Sequence, residues 1–246
     1  MRSAVLIAAA VAVAACSKNL DPDQYPTPES LLEASMDLYN RGNCNQASQG
    51  FRRLIFEFDA LDLRIVTVRY YLAECTLKRG ERLEAARLFR RVSDEFPRAE
   101  LAPQALLRAG DSYAGMWKKP DLDPTYGETA AATYRELLAR YPASPAADTA
   151  QGRIRHLNEW FAEKDYKNGN FYFRLHAYDS AILYFKDVVA NYPQTEYAAR
   201  SVERLIEAYN KIGYQEEKRE MCGYLRQFYP DSRRADKLCP QGVASE

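Results

Sequence analysis

Histidine is nearly absent from this chain of 246 residues. The two present, His156 and His176, fall in separate stretches and form no HxxxH or HExxH pair. That removes the spacing by which two imidazoles one helical turn apart share a zinc ion. The five cysteines include no CxxC pair, so neither a dithiol redox motif nor a zinc knuckle is written here. GxGxxG, the phosphate loop and GxSxG are also missing. The expectation is a non-enzyme with no cofactor, no metal site and no catalytic residue. Net charge is missing as well: 34 basic side chains face 34 acidic ones, a balance that argues against nucleic acid as a partner. Glycine is sparse, at 11, while Ala, Leu, Arg and Tyr abound, which favours helices over strands. No long apolar run is present either. The stretch Ala4–Ala15 is too short to hold a bilayer as a stable span.

That short stretch sets the compartment. Arg2 gives a positive start, the apolar segment follows, and Val13-Ala14-Ala15-Cys16 closes it. The pattern resembles the bacterial lipoprotein signal: a branched apolar residue, two small residues beside the cleaved bond, and a cysteine whose thiol carries diacylglycerol. Residues 1–15 are thus expected to be a removable signal peptide and Cys16 the lipidated N-terminus. Each buried CH2 of an acyl chain contributes about 0.8 kcal/mol, so two or three chains anchor firmly in a lipid bilayer. Ser17 rather than Asp after the cysteine points to the outer membrane, with the protein facing the periplasm. Residues 16–28, with Pro22, Pro26 and Pro28, read as a flexible tether, and the folded part is expected from Glu29.

Beyond the tether the chain repeats. An aromatic followed by proline recurs as Phe96-Pro97, Tyr141-Pro142, Tyr192-Pro193 and Tyr229-Pro230, with Phe58-Asp59 in the place of an earlier member. The intervals are 38, 45, 51 and 37 residues, at or above the length of a tetratricopeptide repeat. Counting back from each proline position finds small residues at Ala47, Ala85, Ala130 and Ala181. It then finds rings at Phe51, Phe89, Tyr134 and Phe185, and aliphatics at Leu54, Val92, Leu137 and Val188. A small residue and a ring four apart share one helical face. The small residue admits a close neighbour, the ring fills the space towards the next helix pair, and proline ends the helix. The fifth unit keeps Tyr209, Leu225 and Pro230 but has Lys218 and Cys222 at the small and aromatic places. Terminal repeats depart from the pattern because they cap a stack.

The fold class is therefore all-α, a tetratricopeptide-repeat superhelix of about five helix pairs over residues 29–230. Helices are expected at 29–41 and 44–58, 64–79 and 82–96, 102–117 and 127–141, 145–174 and 178–192, and 195–211 and 214–229. Residues 231–246 form a tail, loose unless Cys239 is tied down. Between Met116 and Gly127 lies a loop insertion whose Asp121 and Asp123 could meet a cation, though too few ligands are present for a site. Cys44, Cys75, Cys222 and Cys239 allow three pairings in an oxidising compartment. The sequence-near choice is Cys44–Cys75 with Cys222–Cys239, and buried free thiols are the alternative. Arg52-Arg53, Arg90-Arg91 and Arg233-Arg234 are either solvated helix faces or parts of a groove for acidic peptide groups.

With these features in hand, the chain resembles the outer-membrane protein assembly factor BamD family along nearly all of its mature length. Three stretches carry the resemblance. They are Asp121-Leu122-Asp123-Pro124 with Ala130 to Pro142, Arg155-His156-Leu157 through Ala162-Glu163-Lys164-Asp165-Tyr166 to Phe171-Tyr172-Phe173-Arg174, and Ala181-Ile182 with Tyr192-Pro193-Gln194-Thr195. The resemblance implies a part of the machine that folds β-barrels into the outer membrane. Its C-terminal half would bind the POTRA region of a BamA-type barrel, and its N-terminal repeats would meet unfolded outer-membrane β-barrel proteins. A basic family residue that pairs with a POTRA carboxylate falls on Lys186, which lacks the two-pronged geometry of Arg. Arg174, Asp121 and Asp123 are further candidate partner contacts. A tetratricopeptide-repeat lipoprotein coordinating cell-wall synthesis or envelope division is the competing reading. Such proteins carry a coiled coil before the repeats, for which residues 17–30 leave no room.

Overall fold

The computed structural model describes residues 20–59 and 62–240. The signal segment 1–15 and Cys16 lie outside these residues. The described chain is helical, with no strand, and divides into two compact units, up to Arg79 and from Gly80.

The first unit holds α1 (Pro28–Asn40), α2 (Cys44–Glu57) and α3 (Arg64–Lys78). Thr27 and Ser30 start α1 with reciprocal bonds. The Ser30 N–H donates to Thr27 Oγ1 at 3.2 Å, and the Thr27 N–H donates to Ser30 Oγ at 3.3 Å, with Pro28 in the first turn where its missing N–H costs nothing. Helix α2 packs against both neighbours, and α1 also touches α3. The expected tether is partly ordered here: Pro22–Gln24 forms a 3-10 turn and Leu20 is buried. A Cβ built on Gly50 would come within 2.0 Å of Ser35 Oγ and 2.9 Å of Leu20, so Leu20 packs beside Ser35 over the glycine and the folded part starts before Glu29.

The second unit holds α4 (Arg82–Glu95), α5 (Ala102–Ala114), α6 (Thr125–Arg140), α7 (Pro145–Arg174), α8 (Tyr178–Asn191), α9 (Glu196–Ile212), α10 (Gln215–Phe228) and the short α11 (Ala235–Leu238). Each helix through α10 packs on its successor, and α5 touches α7 as α7 touches α9. Sequential contact together with contact between alternate helices is what nesting of hairpins requires. All twelve residues of the small-aromatic-aliphatic pattern in the first four repeats are fully buried. The close approach they permit is visible at two glycines. A Cβ on Gly110 would sit 2.3 Å from the Tyr134 ring, and one on Gly169 would sit 2.6 Å from the Phe185 ring.

The prolines act as expected. Helices α4, α6, α8 and α10 each stop one residue before the aromatic. Phe96, Tyr141, Tyr192 and Tyr229 then adopt φ of −127°, −135°, −132° and −133°. A residue before proline is pushed out of the helical region by the proline ring. Phe58, followed by Asp59, instead sits at φ −77° and ψ 137°. The α9–α10 turn uses Gly213 at φ +81°, the left-handed conformation that a Cβ disfavours, and Gly80, the first residue of the second unit, sits at φ +86°. After α7 the same region is taken by His176, at φ +60°.

Residues 231–240 of the C-terminal segment are held in place, and residues 241–246 lie outside the described residues. A disulfide joins Cys222 to Cys239. Arg226 donates to the Cys239 carbonyl, and Arg234 reaches Glu203 at 3.2 Å and also Glu207. The expected Cys44–Cys75 bridge is not formed, since both are buried free thiols. Burial and a hydrogen bond with Cys44 push the Cys75 thiol up to about 12. That suppresses the thiolate on which disulfide exchange depends.

Candidate partner-binding site

Helix α7 is the organising element of the second unit. Its 30 residues run on past the hairpin core, and its C-terminal half faces α9. The loop before α6 is fastened to it. Trp117 is buried, stacked on Phe161 at 4.8 Å and edge-on to Trp160 at 5.3 Å, so the insertion opens with a core residue. A Cβ on Gly127 would lie 2.2 Å from the Trp117 ring, which is why glycine begins the buried face of α6. Farther along the loop, Lys164 donates to the Leu122 carbonyl at 3.0 Å, and Lys167 pairs with Asp121 at 3.0 Å.

The proposed acidic contacts thus have internal employment. The Asp121 carboxylate holds Lys167, which is shared with Glu163 at 2.7 Å. Asp123 accepts from the Thr125 N–H at 2.9 Å at the start of α6. That side-chain and backbone bonding holds its carboxyl below the usual range. Lys186 stands elsewhere, exposed on α8, with its ammonium 5.9 Å from the Tyr209 ring centroid. Arg174, the last residue of α7, is exposed. The structure thus places Arg174 at the end of α7, Lys186 on α8, and the acidic loop against Lys164 and Lys167 of α7.

The three double-arginine stretches are mostly spent internally. Arg53 pairs with Glu57 at 2.5 Å, Arg90 with Glu136 at 2.9 Å, Arg91 with Glu95 at 2.6 Å, and Arg234 with Glu203 and Glu207. Arg90 and Arg234 reach other helices, whereas Arg53 and Arg91 pair within their own, and exposed pairs of this kind contribute little each. What the spacing of arginines concealed is a cleft of about 750 Å³ between the ends of α7 and α9. Lys167, Arg174, Arg204 and Lys211 supply its charge, and no Asp or Glu lines it. Tyr166, Phe173 and Tyr178 supply its rings. The guanidinium of Arg204 lies 5.1 Å from the Phe173 ring centroid. Its Nη1 pairs with Glu207 at 2.7 Å, while its buried Nε has no hydrogen-bond partner among the described residues. Elsewhere Asp165, half-buried on α7, has its carboxyl raised by burial and then by Asp187. Among the described residues no cluster of three or more His, Cys, Asp or Glu is placed to hold a metal.

Helix hairpins with this packing pattern define a tetratricopeptide-repeat protein, a scaffold class. Within it, residues 24–223 match the family described as YfiO, outer membrane lipoprotein, and the chain belongs to that family. Outer membrane protein assembly factor BamD of Vibrio cholerae is 40% identical over 93 residues, which cover 38% of this chain and 39% of that protein, less than two thirds of its length. BamD of Caulobacter vibrioides is 27% identical over 240 residues, covering 94% of this chain and 76% of the relative. Among solved structures, the TPR2AB domain of yeast Sti1 overlaps with a TM-score of 0.46 at 15% identity, over 86% of this chain and 81% of that one.

Proposed function

We propose that the protein is a lipid-anchored periplasmic scaffold of the outer-membrane β-barrel assembly machinery, holding the POTRA region of a BamA-type barrel and contacting unfolded barrel proteins. The observation that carries this reading is the family match over residues 24–223, joined by relatives that bear the assembly-factor name across up to 94% of the chain. Residues 1–15 are the signal peptide, Cys16 is the acylated anchor to the outer membrane, residues 29–230 form the repeat array, and the tail from 231 closes its last repeat. The protein works by presenting side chains to other polypeptides rather than by turning over a substrate.

Lys186 is the proposed POTRA contact. Its exposure on α8 lets it meet a carboxylate as a single point charge. Purification of the full chain from detergent-solubilised membranes should recover a POTRA-bearing barrel. The Lys186→Glu variant should recover several-fold less of it, with unchanged circular dichroism. Recovery of cell-wall synthesis factors without any barrel would reject the assembly role. Undiminished barrel capture by Lys186→Glu would reject only the residue.

A further inference from the structure

We propose that the cleft between the C-terminal ends of α7 and α9 is a docking site for an extended polypeptide segment in which acidic side chains alternate with aromatic ones. It is a second contact surface, since Lys186 is not among its lining residues, and it does not rest on the assembly role. The case begins with charge. Four cations line the cleft and no carboxylate does. Two of the four are neutralised from outside it: Lys167 by Glu163 and Asp121, and Arg204 by Glu207. Arg174 and Lys211 make no ion pair among the described residues, and both are exposed.

The plain explanation for both is helix-end compensation, because each lies in the last turn of its helix. Magnitude decides against that as the whole account. A helix C-terminus carries roughly half a negative charge, so two ends offset about one of the two positive charges. A net positive cleft remains, and its aromatic walls lower the local dielectric and strengthen the attraction for an anion.

The rings define what the anion is attached to. Tyr166, Phe173 and Tyr178 present flat apolar surface beside the cations, and Phe173 lies edge-on to Tyr178 at 5.2 Å. An inorganic anion would use none of that surface. A peptide with rings beside its carboxylates would use both parts, stacking on the walls and pairing with Arg174, whose fork donates two bonds to a carboxylate. A volume of about 750 Å³ admits a few side chains and not a folded domain.

The test is a titration of the full chain, purified in detergent, with a fluorescent peptide blocked at both ends, in which glutamates alternate with phenylalanines. We expect saturable binding that weakens as salt is raised. The glutamine analogue of the peptide should bind about tenfold or more weakly, and so should the wild-type peptide to Arg174→Glu/Lys211→Glu. Arg174→Lys should keep part of the affinity, and Lys186→Glu should keep all of it. Circular dichroism and a melting curve check that each variant is folded. Absence of binding to the folded wild type, equal binding of the glutamine analogue, or full binding by the double variant would each overturn the proposal. Barrel capture is measured separately, so loss of one reading leaves the other standing.

Discussion

The fourth and fifth repeats close their hairpins by different means. In α7–α8 the ring of Phe185 fills the space over Gly169, and Ala181 and Val188 complete a fully buried face. In α9–α10 the small and aromatic places hold Lys218 and Cys222, and Leu225 is the one buried residue of α10. The gap is closed covalently instead. Cys222 is tied to Cys239, and α11 folds back so that Leu225 and Cys239 share a cluster with Val202 and Ile206. An inner repeat has a neighbour on both sides and can be held by apolar burial alone. The last has only one, and a crosslink replaces the contact that a further hairpin would have supplied.

The sharpest way to break the comparison is Phe185→Ala. It empties a fully buried site against a glycine that cannot fill it, and the expected loss is about 3–5 kcal/mol. Urea denaturation followed by circular dichroism measures this, and a loss below about 1 kcal/mol would mean that the ring is not the keystone of its hairpin.

Next in size is the double variant Cys222→Ser/Cys239→Ser. The bridge spans 17 residues, and crosslinks of that span contribute roughly 3 kcal/mol. The loss should be concentrated in the last repeat. Hydrogen exchange should rise in α10 and α11 and stay unchanged in α7 and α8. Uniform loosening would show that the crosslink serves the whole unit.

The smallest effect sharpens the picture of α7–α8. Asp165 is half-buried with no ion pair among the described residues, and its carboxyl is raised by burial and by Asp187, against a smaller opposing pull from Lys164. A carboxyl raised in the folded state costs stability once pH exceeds its unfolded value, and the cost is complete above the folded value. Asp165→Asn should therefore raise the melting temperature at neutral pH, by about 1–2 °C. The gain should fade as the solution is acidified below the unfolded carboxylate range. A gain that persists in acid would point to packing rather than charge.

Much of this architecture was legible before any coordinates because its signals are local. A ring four residues after a small residue, and a proline closing the helix, are read within one turn or two. The observed helices begin and end within a few residues of the expected ones. What escaped notice depends on contacts between distant segments. Trp117 reads as the start of a polar loop, yet the rings of Trp160 and Phe161, over forty residues on, make it core. Leu20 reads as tether until Gly50 offers it a gap. The surroundings of the candidate contacts were the least legible. Asp121 and Asp123 look available in a loop but are spent on Lys167 and the α6 N-terminus. The cleft draws on Lys167 and Lys211 from helices that only packing brings together.

The closing of α4, α6, α8 and α10 by an aromatic-proline step has an evolutionary corollary. Since α6 stops at Arg140 through the chemistry of Tyr141 and Pro142, the ten residues inserted ahead of it leave the phase of the following hairpin untouched. Length can vary in one module without a compensating change in the next. Such an array can acquire new loops one at a time while its stacking grammar stays fixed.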